Sequence, residues 1–358
     1  MFTQILTRSV GQRVLGSGLV NLLTGPHGVD RYTELVDPTL VSGEARAKVV
    51  AVRRATPRSV TLTLAPNAAF TARNSLRAGQ HVNLTVEIDG RRHTRCYSPA
   101  NAEGADYLEL TVGRHEGGLV SNYLYRRAEV GMVVGLDAVA GDFVLPAQRP
   151  RRILFVAGGS GITPIMAMLR TLRDHRHDGE LAVIHYARSK AEACYHDELA
   201  ALPGVRVLHG YTRSLGDTDL TGHFDATHLS AALPDPDAVY VCGPPALADA
   251  VRQHCGNVSA ESFVPPVFDV PAEPSGGRVS FADSGVEVTD DGRSLLEQAE
   301  AAGLNPQSGC RMGICHTCTR RKTCGVVMNL TTGGVSTADE EDVQICVSVP
   351  VGDVELAL

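Results

Sequence analysis

The stretch GCRMGICHTC, residues 309–318, carries Cys310, Cys315 and Cys318, and Cys346 follows after a further 27 residues. The spacing C-x4-C-x2-C…C is that of four thiolates around a [2Fe-2S] cluster, one short loop giving three ligands and a separate strand the fourth. Gly309 and Gly313 suit a loop whose backbone comes close to the cluster and turns N–H groups toward its sulfurs. A structural zinc site would use Cys315 and Cys318 with Cys310, Cys324 or His316, but the usual second pair of short-spaced ligands is missing. Cys324 is the surplus thiol and reads as a small buried residue, with Met312 and His316 as loop packing.

A one-electron centre fed by a two-electron nicotinamide donor needs an intermediary that splits the pair, which flavin does. RCYSPAN, residues 95–101, ends an expected strand, where Arg95 can reach a phosphate, Tyr97 can pack along a flavin and Ser98 can face its reactive nitrogen. EGGLVSNYL, residues 116–124, brings two glycines and Ser121 to an expected helix start, a cradle of backbone N–H groups for a pyrophosphate. GGSGITP, residues 158–164, follows the apolar run ILFVA and opens a helix, with Thr163 expected as N-cap and Pro164 at the first helical position. It is not the G-x-G-x-x-G fingerprint, yet glycines after a parallel strand likewise let a nucleotide phosphate approach a helix N-terminus. Each stretch taken singly also fits an ordinary strand end or turn.

VCGPP, residues 241–245, ends a later strand, where ligands of open α/β sheets collect. Arg188, Ser189 and Lys190 follow the strand AVIHYA, and Thr212-Arg213 ends the next one. A cationic cluster there suits a ribose 2′-phosphate, so NADPH is expected over NADH, although either arginine alone also reads as a surface charge.

The elements that must hold these residues fall into three groups. Residues 45–148 read as short strands separated by turns, an antiparallel β-barrel; 149–264 alternate apolar strands with helical stretches, an α/β parallel-sheet nucleotide domain. PPVFDVPAEPSGG, residues 265–277, is a linker, and 278–358 begin with an alternating hairpin and a helix before the cysteine loop, an α+β β-grasp unit. Residues 1–44 are an N-terminal extension with a helix expected over Phe2–Leu23, apolar enough for peripheral membrane contact but too short and glycine-broken to span. A signal cleavage site is not evident, and nine unevenly spread cysteines point to ligation in a reducing compartment, so a cytoplasmic location is expected, peripheral at the inner face of the membrane. A net charge of −7 without a Lys/Arg block gives no basis for nucleic-acid binding. Residues 278–358 hold 12 Asp/Glu against 6 Lys/Arg, a face suited to a basic partner or simply to solvent.

In order along the chain, R-x-Y-S, G-G-x-x-S, G-G-x-G-x-T-P, C-G-P and E-S-F (261–263), followed by the four cysteines, resemble the ferredoxin-NADP reductase superfamily with a fused plant-type [2Fe-2S] domain. The resemblance covers about residues 45–358. It implies that Arg95, Tyr97 and Ser98 bind FAD with Ser98 near flavin N5, and that Gly118, Leu119, Val120 and Ser121 hold the pyrophosphate. It implies further that Gly159, Gly161, Thr163 and Pro164 line the nicotinamide-nucleotide site, and that Cys242 and Glu261 lie near the point of hydride transfer. Electrons would then run from NADPH through FAD to the cluster, whose potential, roughly −400 mV for this type, makes onward transfer to an oxygen-activating iron downhill.

LLTGPHGVDRYTELVDPTL, GCRMGICHTC and KTCGVVMNLTTG are similar to actinobacterial oxidoreductases that serve membrane-bound acyl-CoA desaturases, which implies a desaturase as acceptor. Ring-hydroxylating oxygenases, alkane or steroid hydroxylases and cytochromes P450 are the alternatives. Arg311, Met312, Ile314 and His316 are the residues expected to meet it. A zinc-stabilised interaction module without redox activity is the reading from another class; it requires a colourless protein with one zinc per chain.

Overall fold

The computed structural model describes residues 30–41, 43–213, 218–263 and 276–358. The helix expected over Phe2–Leu23 and all but the last two residues of the expected linker lie outside them. The first described element is a helix, α1 (Asp30–Val36).

Six strands follow: β1 (Arg46–Thr56), β2 (Ser59–Pro66), β3 (His81–Ile88), β4 (Arg91–Tyr97), β5 (Leu108–Gly113) and β6 (Val133–Ala140). They pair antiparallel in the order β4-β3-β6-β1-β2-β5. The alternating residues Val60, Leu62 and Leu64 on β2 and Val82, Leu84, Val86 and Ile88 on β3 all enter one core, which fixes the register. The strand ladder is open between β4 and β5, and the amide of Ala100 donates to the Glu109 carbonyl at 2.8 Å to draw these edges together. One helix, α2 (Leu119–Arg127), lies between β5 and β6 and packs Val120 and Leu124 into the same core.

The next five strands, β7 (Arg152–Gly158), β8 (Glu180–Ala187), β9 (Val205–Tyr211), β10 (Ala238–Cys242) and β11 (Val258–Glu261), form a parallel sheet in the order β11-β10-β7-β8-β9. The unbroken apolar run on β7 has a simple cause. Ile153, Phe155 and Ala157 face one core while Leu154 and Val156 face another, so both sides of the strand are covered. The chain goes from β7 outward to β9 and then crosses to β10, so the strand order reverses between β7 and β10. A crevice at the carboxyl ends of those two strands is where such sheets take ligands. The helix after β7, α3 (Ile162–Asp174), starts two residues earlier than expected: Gly161 is its N-cap, and the Thr163 hydroxyl turns back to the Ser160 carbonyl at 3.2 Å. Pro164 is thus the third helical residue, a first-turn position where a missing N–H costs nothing.

The last unit consists of β12 (Arg278–Phe281), β13 (Val286–Thr289), helix α4 (Leu295–Ala301), β14 (Thr319–Asn329), β15 (Val335–Ser336), β16 (Glu341–Gln344) and β17 (Ser348–Leu356). Its sheet is mixed, with β12 parallel to β17 and β14 antiparallel to it. A capping box starts α4, the Ser294 hydroxyl accepting from the Glu297 amide at 3.3 Å and the Glu297 carboxylate accepting from the Ser294 amide at 3.2 Å. Cys324 stands exposed on β14, contrary to the expected burial, because the β14–β17 register shifts between buried Lys322 and Cys324, so the two no longer share a face. The Lys322 ammonium is satisfied there by the carbonyls of Gly325 and Ala338.

Arg170 on α3 joins the first two sheets, with its guanidinium on the Glu109 carboxylate at 2.9 Å, the Ala100 carbonyl at 2.8 Å and the Glu198 carboxylate at 2.7 Å. Such a joint contributes little net stability but fixes orientation, because separating its members would strand partly buried charge.

His185 on β8 has no exposed surface, donates from Nε2 to the Gly159 carbonyl (3.1 Å), and has His209 5.9 Å away ring to ring. Burial, with the nearby His209 and His196, lowers its pKa to about 4. The unfolded chain therefore binds this proton first, and folding stability falls as pH drops from about 6.5 toward 4. Between pH 7 and 5 this residue alone should remove about 2 kcal/mol. Urea unfolding at the two pH values should show a smaller difference for His185→Gln than for the parent chain; equal differences would mean His185 does not carry the acid sensitivity.

Candidate functional site

The loop between α4 and β14 carries Cys310, Cys315 and Cys318, and the turn between β16 and β17 carries Cys346. The amides of Met312 and Cys315 point at the Cys310 sulfur at 3.3 and 3.4 Å, and the amide of Cys310 at the Cys315 sulfur at 3.2 Å. The thiols act on one another in two pairs, Cys310 with Cys315 and Cys318 with Cys346, each thiol affecting its partner's proton. This mutual effect pulls the Cys315 thiol well below its ordinary value and Cys318 to about 7, while the partners Cys310 and Cys346 are raised. Two thiol pairs with backbone N–H groups aimed at sulfur are what a [2Fe-2S] cluster requires, two ligands to each iron. Gly309 is needed for closeness alone: a Cβ there would sit 2.6 Å from the Cys315 sulfur. The loop is braced by Arg311 against Glu300 (3.0 Å) and by Gln344, which donates to the Gly313 carbonyl at 2.6 Å.

Beside this loop lies a cavity of about 310 Å³ at the end of β4. Arg95, Tyr97 and Ser98 line it, as do Gly118, Leu119, Val120 and Ser121 at the start of α2. Thr163 lines this cavity as well. So do Cys310 and the half-buried Met312. Ser98 is 3% exposed and its hydroxyl lies near the Glu261 carboxylate with no partner within hydrogen-bond distance, a buried polar atom of the kind a bound ligand satisfies.

A second cavity, of about 520 Å³, opens at the switch point between β7 and β10. Gly159, Gly161 and Arg188 line it with Thr212, His223, Phe224 and Pro244. Gly161 lies so close to β10 that a Cβ would fall 2.1 Å from the Cys242 carbonyl oxygen. Ser160, His115 and Phe263 line both cavities and so stand between them. Pro164, Ser189 and Arg213 are not on the lining; Arg213 is exposed, and its amide donates to the Arg188 carbonyl at 2.9 Å.

Cys242 and Glu261 sit behind both cavities, the thiol 4.0 Å from the carboxylate. Burial raises the Cys242 thiol, and the Glu261 charge adds to this. Burial also raises Glu261, opposed by the His81 ring and the Ser98 hydroxyl. His81, buried at the start of β3 and 3.8 Å from the Glu261 carboxylate, has no sequence signal, nor has Asn83 two residues on. Cys96, within RCYS, carries no motif of its own, and its sulfur lies within 4.8 Å of those of Cys310 and Cys315.

Residues 64–144 match a family model for an oxidoreductase FAD-binding domain, 155–253 an oxidoreductase NAD-binding domain, and 280–351 a 2Fe-2S iron-sulfur cluster binding domain. An NADPH oxidoreductase of Mycobacterium tuberculosis is 35% identical over 344 residues, 92% of this chain and 89% of that protein. The glycine betaine monooxygenase reductase subunit of Chromohalobacter salexigens is 29% identical, over 78% of this chain and 86% of its own length. The fold is that of phthalate dioxygenase reductase, with a TM-score of 0.59 at 24% identity, covering 88% of this chain and 98% of that one.

Proposed function

The chain belongs to the ferredoxin-reductase-type NAD(P)H oxidoreductases that join an FAD-binding, an NAD-binding and a [2Fe-2S] domain, and on that premise we propose that it carries electrons from NADPH to a membrane acyl-CoA desaturase. The observation that carries the electron path is the shared wall: the cavity lined by Arg95, Tyr97 and Ser98 has Cys310 of the four-cysteine loop on its other side. When bound, FAD takes a hydride and releases single electrons, and the cluster accepts and passes them one at a time.

In this reading Arg95 and the N–H groups of Gly118 to Ser121 hold the FAD phosphates, Tyr97 packs along the ring, and Ser98 offers its unpaired hydroxyl to the reactive edge. The expected ligands are Cys310, Cys315, Cys318 and Cys346. Gly159 and Gly161 shape the nucleotide path at the switch point, with Pro164 behind them, whereas Thr163 lines the flavin-side cavity instead. Cys242 and Glu261 form the buried floor where nicotinamide and flavin would meet. The domain limits are proposed at 45–148, 149–264 and 278–358.

NADPH is assigned to Arg188, which lines the nucleotide cavity; Ser189 and Arg213 flank it at one remove. Arg188→Ala is expected to raise KM for NADPH about tenfold or more while leaving NADH turnover nearly unchanged. Equal losses with both nucleotides would remove Arg188 from the 2′-phosphate.

The desaturase is supported by the sequence resemblance in the N-terminal and cysteine-loop stretches. The relationship to an oxygenase reductase subunit favours a second reading, an oxygenase component as acceptor. Among the described residues no helix is long and apolar enough to cross a membrane. Reconstitution with NADPH and either a desaturase in membranes or a soluble oxygenase decides between them: product from the oxygenase alone would exclude the desaturase reading.

A further inference from the structure

The cysteine loop is seated on the flavin-side sheet through one buried amide. Asn83 on β3 is 4% exposed and stands opposite Cys96 on β4 in the antiparallel ladder. Its carbonyl oxygen accepts from the Cys96 thiol at 3.0 Å, and its NH2 group donates to the Cys315 carbonyl at 3.4 Å. One residue before Cys96, the Arg95 guanidinium donates to the Gly309 carbonyl at 3.0 Å. The Cys96 sulfur is thereby brought within 4.8 Å of the Cys310 and Cys315 sulfurs. These contacts join segments more than 200 residues apart in sequence, at the wall shared by the flavin cavity and the four-cysteine loop.

We propose that Asn83 is a positioning residue that clamps loop 309–318 against the flavin-side sheet, with Cys96 and Arg95 as its partners, and that this seating governs electron passage from the flavin cavity to the four-cysteine site. The proposal rests on the electron-transfer reading above. An amide is the side chain the place requires. It must accept from a thiol on its own sheet and donate to a carbonyl of the loop, and neither a carboxylate nor an aliphatic group does both. Losing the donor leaves the Cys315 carbonyl unpaired in a buried place and shifts the loop toward an unseated state. Because electron tunnelling falls steeply with distance, the rate across the shared wall then follows the seated fraction.

The test uses the full-length holoenzyme with Asn83→Leu and Asn83→Asp, the latter keeping size and the acceptor while removing the donor. Ferricyanide reduction by NADPH draws electrons at the flavin, and cytochrome c reduction draws them at the cluster. Hydrogen exchange of residues 309–318, with 226–232 as a remote reference, reads the seating independently of turnover. With FAD and iron contents preserved, both variants should keep the ferricyanide rate, lose about tenfold in cytochrome c reduction and exchange faster in 309–318 only. Unchanged cytochrome c rates and unchanged loop exchange in both variants would overturn the clamp. So would equal losses with the two acceptors together with faster exchange throughout the chain, which is the mark of a merely structural residue. A parent chain that reduces neither acceptor would instead overturn the functional reading itself, so the two failures are distinct.

Discussion

Serine at Cys310, Cys318 or Cys346 should yield a protein that is yellow but not brown, reduces ferricyanide with NADPH at close to the parent rate, and has lost cytochrome c reduction by more than about 100-fold. The magnitude follows from the place of these thiols: removing partners one shell further out typically costs 10–100-fold in metal affinity or activity, so removing a ligand costs at least the upper end. The pairing sharpens the expectation. Cys318 and Cys346 are both buried and lean on each other, so the loss of either leaves an iron with one protein ligand fewer and no nearby thiol to replace it. Cys310 has a substitute candidate, since the Cys96 sulfur is within 4.8 Å of it, so Cys310→Ser should retain more residual iron than Cys346→Ser. Cys324 is exposed on β14, and Cys324→Ser should leave colour, iron content and both activities unchanged. Iron and acid-labile sulfide analysis, absorbance and the two dye assays together make the measurement. One zinc per parent chain with no iron would return the loop to a structural role.

Much of this organisation is legible in the sequence because the signals are local. The alternation in SVTLTLAP and HVNLTVEI predicts β2 and β3, since one face of each enters the core, and the continuous run in ILFVA predicts a central strand covered on both sides. Cysteine spacing likewise identifies three thiols on one loop. What stays hidden is long-range. Asn83 and His81 carry no motif, and their roles exist only because β3 places them beside Cys315 and Glu261, residues far along the chain. Arg188 and Arg213 look equivalent in sequence, yet one lines the nucleotide cavity and the other is exposed, a difference set by how β8 and β9 end. That Met312 lines the flavin-side cavity is likewise not legible in the loop: the side of a loop that meets another domain is decided by tertiary packing, not by loop composition.

The second large effect is expected at the buried floor between the cavities. Ser98→Ala should slow NADPH-driven ferricyanide reduction about 100-fold with FAD content unchanged, the lower end of what a positioned proton-transfer or hydrogen-bonding group supplies. The argument begins with cost. A hydroxyl buried to 3% exposure with no partner within hydrogen-bond distance is unfavourable, and a group in the cavity that accepts or donates there offsets the cost. Glu261 lies behind Ser98 and is raised by burial, so its carboxyl stays protonated to higher pH than an exposed one and gives up its charge as pH falls. If the ionised form supports the reaction, turnover has an acid limb set by Glu261, and Glu261→Gln should flatten that limb as well as lower the rate. His81 opposes the raising of Glu261 from 3.8 Å, so His81→Phe should move the limb upward in pH without removing it. A pH profile of kcat and kcat/KM for the three variants separates these roles: a limb that persists unchanged in Glu261→Gln assigns the titration to another group, and a full rate in Ser98→Ala leaves its hydroxyl without a part in the chemistry.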